Sequence, residues 1–330
     1  MQIISSKKLN TPLAWYWDDG ISLYTMQVSD NIIEINNLDT ESFDSISTFL
    51  THYKPNLLVK PTADKNCLYL PSIDGRIIGI DKFSGQMLVD IDLGMMNCIS
   101  EPKLFENYIY TICNVPLSNK PGIHSRSIVI CKNDLDTGTK IGQSQLFQGK
   151  FSSLFLINNH FYIIVDEYLY QMSENLEVLQ KIKINSDCFN EIISVKNKIV
   201  ISSNLGYLEI VDEKSLSSEK FIFNKNRVSP VCINEDLIWF TEKKIIIFNI
   251  KNKTLKFALD TNIAYSNVIV KNHSVFATDD LGNISCLDGE KGSLDRLGVS
   301  SIGLKHLITI DNFIFTGNHK ELYKICTTAV

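Results

Sequence analysis

Leu68-Tyr69-Leu70-Pro71-Ser72-Ile73-Asp74-Gly75-Arg76-Ile77-Ile78-Gly79-Ile80-Asp81-Lys82-Phe83-Ser84-Gly85-Gln86 is the stretch on which the fold turns. Two short apolar runs flank Asp74-Gly75, a dipeptide suited to a tight hairpin because glycine accepts positive φ without a steric penalty. The second run ends on Asp81, and Lys82-Phe83-Ser84-Gly85 supplies another turn. Gln86–Ile91 then returns as a further strand, and upstream Leu57-Leu58-Val59-Lys60 reads as the strand that opens the set. Four short strands in succession, each rich in Ile, Leu, Val or Tyr and bounded by turn residues, make one antiparallel meander.

The same order recurs along the chain. Tyr265–Val270, Ser274–Thr278, Asn283–Asp288 and the Gly289-Glu290-Lys291-Gly292 turn repeat it most clearly. Further sets begin near residues 13, 102, 153, 191 and 228. At the end, Leu304–Ile310, Phe313–Thr316 and Glu321–Cys326 supply only three strands, while Gln2–Ser5 is a spare strand at the start. Starts spaced by roughly 41 residues match the period of a four-stranded propeller blade. The expectation is one all-β domain over residues 1–330, a β-propeller of about eight blades closed by pairing the N-terminal strand with the last blade. Seven blades remain open if the first set is not a full blade.

Leu68–Gln86 resembles the repeat of quinoprotein-type (PQQ-like) propellers: a strand, an Asp-Gly turn, a strand ending in Asp, then Ser/Thr-Gly turn residues. Phe276–Gly292 is similar, and Asp134–Lys140, with Asp136-Thr137-Gly138, carries a fragment. Where that repeat often places a Trp after the turn glycine, this chain has Leu88 and Leu294. A vicinal Cys-Cys pair and a calcium-type Glu/Asn/Asp set, which the quinoprotein dehydrogenases use to hold their cofactor, are missing. The resemblance therefore implies the fold and not the redox chemistry, and no cofactor or metal is expected. Trp17-Asp18 is the lone match to the Trp-Asp signature of another propeller class.

The 330 residues are 44% hydrophobic and 21% charged, an ordinary globular composition, and the net charge is −5. A mild acidic excess disfavours general nucleic-acid binding, which needs a basic face, and leaves a basic protein partner open. None of the eight cysteines, at 67, 98, 113, 131, 188, 232, 286 and 326, forms a C-x-x-C pair. They read as buried reduced thiols. No run reaches ~18 apolar residues, so no membrane span is expected. Met1–Lys8 lacks a secretory h-region, which places the expected location in the cytoplasm.

Propellers bind through loops at one face. The tips between the second and third strands fall at Asp30, Asp74, Asn114–Ser125 (with His124), Asp166-Glu167, Asn204, Glu242, Asp279-Asp280 and Asn318-His319. Aspartate and asparagine suit tight turns for their own sake. As a functional reading, Asp30, Asp74, His124, Asp166, Glu167, Glu242, Asp279 and Asp280 are the expected partner-binding residues, an acidic display that would steer a basic protein. The twelve-residue interruption Asn114–Ser125 stands out in an otherwise terse repeat. The six histidines have no metal-type spacing, and no nucleophile elbow, Walker loop or dinucleotide fingerprint is present. Trp15 and Trp17 share a strand face with Leu13 and are expected to pack between blades. The expected function is non-enzymatic protein binding by a monomer, extending to an intracellular inhibitor or immunity protein that covers a basic toxin. An enzyme, lyase or hydrolase, with its site at the channel mouth is the alternative, and a scaffold subunit of a larger assembly is another.

Overall fold

The computed structural model describes all residues except 10–12, 19–21, 30–31, 52–53, 116–126, 185–191, 203–206, 216, 223–230, 241–243, 262, 264, 272, 289–292, 305 and 328–330. Among the described residues every regular element is a β-strand, and the strands form eight antiparallel sheets, the blades of a β-propeller. Blade 1 comprises Leu13–Asp18, Leu23–Ser29, Ile32–Leu38 and Ser45–Thr51; blade 2, Thr62–Ala63, Cys67–Pro71, Arg76–Asp81 and Met87–Asp92. Blade 3 is built on Tyr108–Asn114 and Ser127–Asp134. Its first strand is split into Asn97–Cys98 and Lys103–Phe105, and its fourth into Lys140–Gln143 and Phe147–Gln148. Blade 4 has Phe155–Ile157, His160–Val165, Tyr168–Met172 and Val178–Lys183. Blade 5 runs Ile192–Val195, Lys198–Ser202, Tyr207–Asp212 and Ser218–Ile222; blade 6, Val231–Ile233, Asp236–Phe240, Lys244–Asn249 and Thr254–Asp260. Blade 7 is Tyr265–Lys271, Ser274–Asp279, Asn283–Asp288 and Leu294–Gly298. Blade 8 takes three strands from the end of the chain, Leu307–Ile310, Phe313–Gly317 and Glu321–Cys326, and its fourth, Gln2–Lys8, from the beginning. The expected eight blades and the expected pairing of first strand with last are both present, running from Gln2 opposite Cys326 to Lys8 opposite Glu321 with a register shift between Ile3 and Ser5.

One expected strand is absent. Leu57-Leu58-Val59-Lys60 is a turn, and blade 2 opens instead on the short Thr62–Ala63. Pro55 and Pro61 bracket the segment. The Asn56 side chain accepts from the Leu58 amide at 3.1 Å while the Asn56 carbonyl accepts from Val59, so local bonds displace a ladder.

The chain divides into two compact units, residues 14–187 (blades 1–4) and residues 1–13 with 188–330 (blades 5–8). Within each, neighbouring blades bury both faces of their middle strands, which explains the near-continuous apolar runs there. In blade 2, Leu68, Leu70, Ile78 and Ile80 pack on Tyr24, Met26, Ile33 and Ile35 of blade 1. The alternate residues Cys67, Tyr69 and Ile77 pack on Ile109, Cys113 and Val129 of blade 3. The same two-sided burial joins blades 3 and 4 around Phe161 and Ile163. In the other unit it joins blades 5 and 6 around Leu208 and Leu237, 6 and 7 around Phe240 and Tyr265, and 7 and 8 around Phe276 and Ile325. Cys67, Cys98, Cys113 and Cys131 are buried and Cys232, Cys286 and Cys326 half-buried, all as free thiols. Burial pushes the thiols of Cys67 and Cys98 up to about 12, and Cys113, hydrogen-bonded to Cys131 and desolvated, also lies above the ordinary thiol range.

A second repeated device closes the turn after the third strand. Asp39, Asp81, Asp134 and Asp212 each accept, through one carboxylate oxygen, backbone amides two and three residues ahead. Ser84, Thr137 and Ser215 add a hydroxyl bond to the same oxygen. Those bonds, led by the Ser84, Thr137 and Ser215 amides, hold the Asp81, Asp134 and Asp212 carboxyls below the usual carboxylate range.

Candidate functional site

In blades 2, 4, 7 and 8 the tip between second and third strands is bonded to an adjoining linker. On the entering side, Ile73 donates its amide to the Lys54 carbonyl at 3.0 Å, and Asp166 donates to Lys150 at 2.7 Å. On the leaving side, Leu93 donates to the Gly75 carbonyl at 2.9 Å, Ile184 to Glu167 at 2.8 Å and Val299 to Gly282 at 3.1 Å. Blade 8 keeps the rule although its fourth strand comes from the other end of the chain: Leu9 donates to the Lys320 carbonyl at 2.9 Å. The tips of these four blades are thus fixed platforms, and their side chains are displayed from rigid backbone.

Among the residues expected to bind a partner, Asp30, His124 and Glu242 lie outside the described residues, as does most of the long loop after Asn114. Asp74, Asp166 and Glu167 are exposed on the tips of blades 2 and 4, within one unit. Asp166 is also structural. It sits at φ +49, and one carboxylate oxygen accepts from the Lys150 amide at 2.8 Å. Glu167 pairs with Lys183 at 3.3 Å across exposed surface, a contact worth little in stability. In the other unit Asp280 is exposed, whereas the Asp279 side chain is only 2% exposed and faces inward. Its carboxylate accepts from Arg296 at 2.6 Å, from the Asn283 side chain and from the Leu281 and Asn283 amides. Asp279 therefore builds its tip instead of presenting a charge; Arg296, across the fourth strand, was the partner that sequence spacing did not reveal.

The expectation of Trp15 and Trp17 between blades concerns side chains outside those described. Two further carboxyls with shifted titration are tied into ion pairs. Burial pushes Glu101 up, but Lys103 at 2.9 Å and Lys60 at 3.2 Å outweigh it and hold the carboxyl low. The Lys196 ammonium, bonded to Glu235, lowers that carboxyl. Both belong to ion pairs that account for the shift. A cleft of about 440 Å³ between blades 5 and 6, floored by Val195 and Ile250, is rimmed by the Lys196–Glu235 pair and by Lys198, 3.9 Å from Asp212. Among the described residues no group of three or more His, Cys, Asp or Glu is placed to hold a metal ion, and no helix is long and apolar enough to cross a membrane.

Sequence reasoning passed over a different set. Leu57, Leu58, Ile73 and Met95 are large apolar side chains exposed on the blade 2 tip and its two linkers. In sequence, Leu57 and Leu58 read as part of a strand and Ile73 and Met95 stand alone; main-chain and side-chain bonds bring the three segments that carry them together.

No family model matches the chain, and no curated protein matches it in sequence. Its fold is shared widely among solved structures. BamB from Moraxella catarrhalis aligns with a TM-score of 0.74 at 12% identity, over 98% of this chain and 96% of that one. Sqt1 from Saccharomyces cerevisiae aligns with a TM-score of 0.75 at 8% identity, over 99% of both chains. The quinohemoprotein alcohol dehydrogenase from Comamonas testosteroni aligns with a TM-score of 0.69 at 8% identity, over 98% of this chain and 76% of that one. At such identities the likeness speaks for architecture. It shows that this chain has the β-propeller fold, here of eight blades, and its Asp74-Gly75 and Asp81-x-x-Ser84 units resemble the repeat of the quinoprotein-type (PQQ-like) propellers.

Proposed function

We propose that this chain is a non-enzymatic protein-binding module whose partner docks on the clamped tips. The observation that carries the reading is the display of Asp74, Asp166 and Glu167, exposed on the tips of blades 2 and 4 and held by main-chain bonds to the adjoining linkers. Rigid backbone lowers the ordering cost of association, and exposed acidic charge speeds the approach of a basic partner. The finer reading is an intracellular inhibitor that covers a basic protein, such as a toxin, and acts as a monomer.

The test uses the partner recovered by affinity purification from the native host. In the triple variant Asp74→Lys, Asp166→Asn, Glu167→Lys, the Asn at 166 keeps the bond to the Lys150 amide while removing the charge. Stopped-flow association at low salt should slow by about tenfold or more, and the salt dependence should flatten. An on-rate and salt slope equal to those of the parent chain would remove the acidic display from the mechanism.

A further inference from the structure

The blade 2 tip shows a group of large apolar side chains from rigid backbone. Three segments meet there. The entering linker is bonded to the tip by Ile73 to Lys54, by Asn56 to the Pro71 carbonyl at 2.7 Å, and by the Ser72 hydroxyl to the Lys54 carbonyl at 2.6 Å. The leaving linker is bonded to it by Leu93 to Gly75, and a Cβ at Gly75 would stand 2.7 Å from the Gly94 carbonyl oxygen and 2.8 Å from that of Met96. The two linkers are joined directly by the Asn56 side chain, which donates to the Cys98 carbonyl at 3.2 Å. From this assembly project Leu58 (91% exposed), Met95 (88%), Ile73 (55%) and Leu57 (43%).

The exposed parts of these side chains add nothing to the core, and each would gain from being covered. Scaled to full-size aliphatic side chains, these exposures give an apolar area on the order of 500 Å², the size of the largest patch on a typical monomer. That is below the ~800 Å² per partner of a standard interface between folded proteins. A second copy of this chain would need considerably more surface, whereas a short segment of a partner can be covered by it. The rim carries Asp74 and Asp92 against Lys54, because Arg76 is held by Asp90 and Lys60 by Glu101. The excess is acidic by one charge, which suits a basic residue flanking the apolar contacts.

We infer that the tip of blade 2, with the linkers 54–58 and 93–98, is a docking surface for a short apolar peptide segment that carries a flanking Lys or Arg. The inference rests on the protein-binding reading above and gives it an address and a partner chemistry. Leu58 and Met95 are the anchors, Met95 supplying an adaptable, polarisable contact, and the clamp supplies preorganisation.

The test pans phage-displayed dodecapeptides against the immobilised full-length chain and measures the enriched peptides by fluorescence anisotropy. Enriched sequences should pair two or more large apolar residues with a neighbouring Lys or Arg. Their affinity should fall by about tenfold or more in the double variant Leu58→Ser, Met95→Ser. It should hold in Met87→Ser, Leu88→Ser, a control on exposed apolar residues of the fourth strand of the same blade. Both pairs are at the surface, so folding is not at stake, and circular dichroism of each variant checks it. Peptides equally weakened by the control, or no enrichment above a blank surface, would overturn the assignment. So would a concentration-dependent dimer, seen by sedimentation, that Leu58→Ser, Met95→Ser dissolves, since the occupant would then be a second copy. Peptides lost only in the Asp74, Asp166, Glu167 charge variant would sink this address while leaving protein binding by the tips intact.

Discussion

Gly75 and Gly94 face each other across the blade 2 tip, and both adopt left-handed backbone, at φ +80 and +70. Their surroundings differ. A methyl at Gly75 meets two carbonyl oxygens within 3 Å, while a methyl at Gly94 meets nothing within 4 Å. Gly94→Ala should therefore cost only the conformational strain, about 1 kcal/mol. Gly75→Ala adds a backbone collision that no side chain can relieve and should cost about 3 kcal/mol or more. Urea unfolding of the two variants measures the difference, and equal losses would mean that the linker yields freely. The turn itself was legible, because Asp74-Gly75 is a hairpin signal whatever its context. The reason glycine is required was not, since the oxygens it must clear belong to residues about twenty positions further on. Asp279 teaches the same lesson: an aspartate at a tip looks like surface charge until Arg296 and Asn283 are seen to enclose it.

Among the elements, the turn after the third strand gives a pH signature. The carboxyls of Asp81, Asp134 and Asp212 titrate below their unfolded value because backbone amides bond the ionised form. A group whose folded pKa is depressed stabilises the fold above its unfolded pKa, about 3.9 for aspartate. That contribution fades as pH falls through the folded value. The triple variant Asp81→Asn, Asp134→Asn, Asp212→Asn keeps an acceptor in each turn and loses the titration. Its stability against pH, measured by denaturant unfolding between pH 5 and 3, should fall with a shallower slope than that of the parent. Removal of Gln2–Lys8 acts on another element. It strips blade 8 of its fourth strand and opens the edge of Glu321–Cys326. The shortened chain should unfold at lower temperature and associate in size-exclusion chromatography. A monomer of unchanged midpoint would show that the pairing is dispensable. Strand order and turn chemistry were readable because they depend on neighbours in sequence. Leu57–Lys60 was misread because four apolar or long residues suggest a strand, while the deciding facts were a proline on each side and an asparagine able to close a local turn.

For the molecule as a whole, the alternation of burial made the architecture legible. Middle strands such as Cys67–Pro71 and His160–Val165 are buried along almost their full length, whereas fourth strands such as Met87–Asp92 and Thr254–Asp260 alternate toward solvent. That contrast, repeated with a near-constant period, leaves few folds besides a propeller. The candidate surface was legible in one part only. Acidic tips could be enumerated from turn positions, but the apolar cluster of Leu57, Leu58, Ile73 and Met95 arises from main-chain bonds between three separated segments, and no local pattern announces it. The entering and leaving clamps likewise depend on distances that sequence spacing does not encode.

The strand borrowed from the beginning of the chain also sets a timetable. Ribosomal synthesis delivers Gln2–Lys8 about 300 residues ahead of its partner Glu321–Cys326. At ~5–20 residues per second the early strand waits roughly 15–60 s for the late one to emerge. Throughout that interval its hydrogen-bonding groups have no mate in the finished arrangement. The seven intervening blades can assemble in order as they appear, but the eighth is completed only once Glu321–Cys326 has been made, so a nascent chain stalled anywhere before residue 321 still lacks that seam.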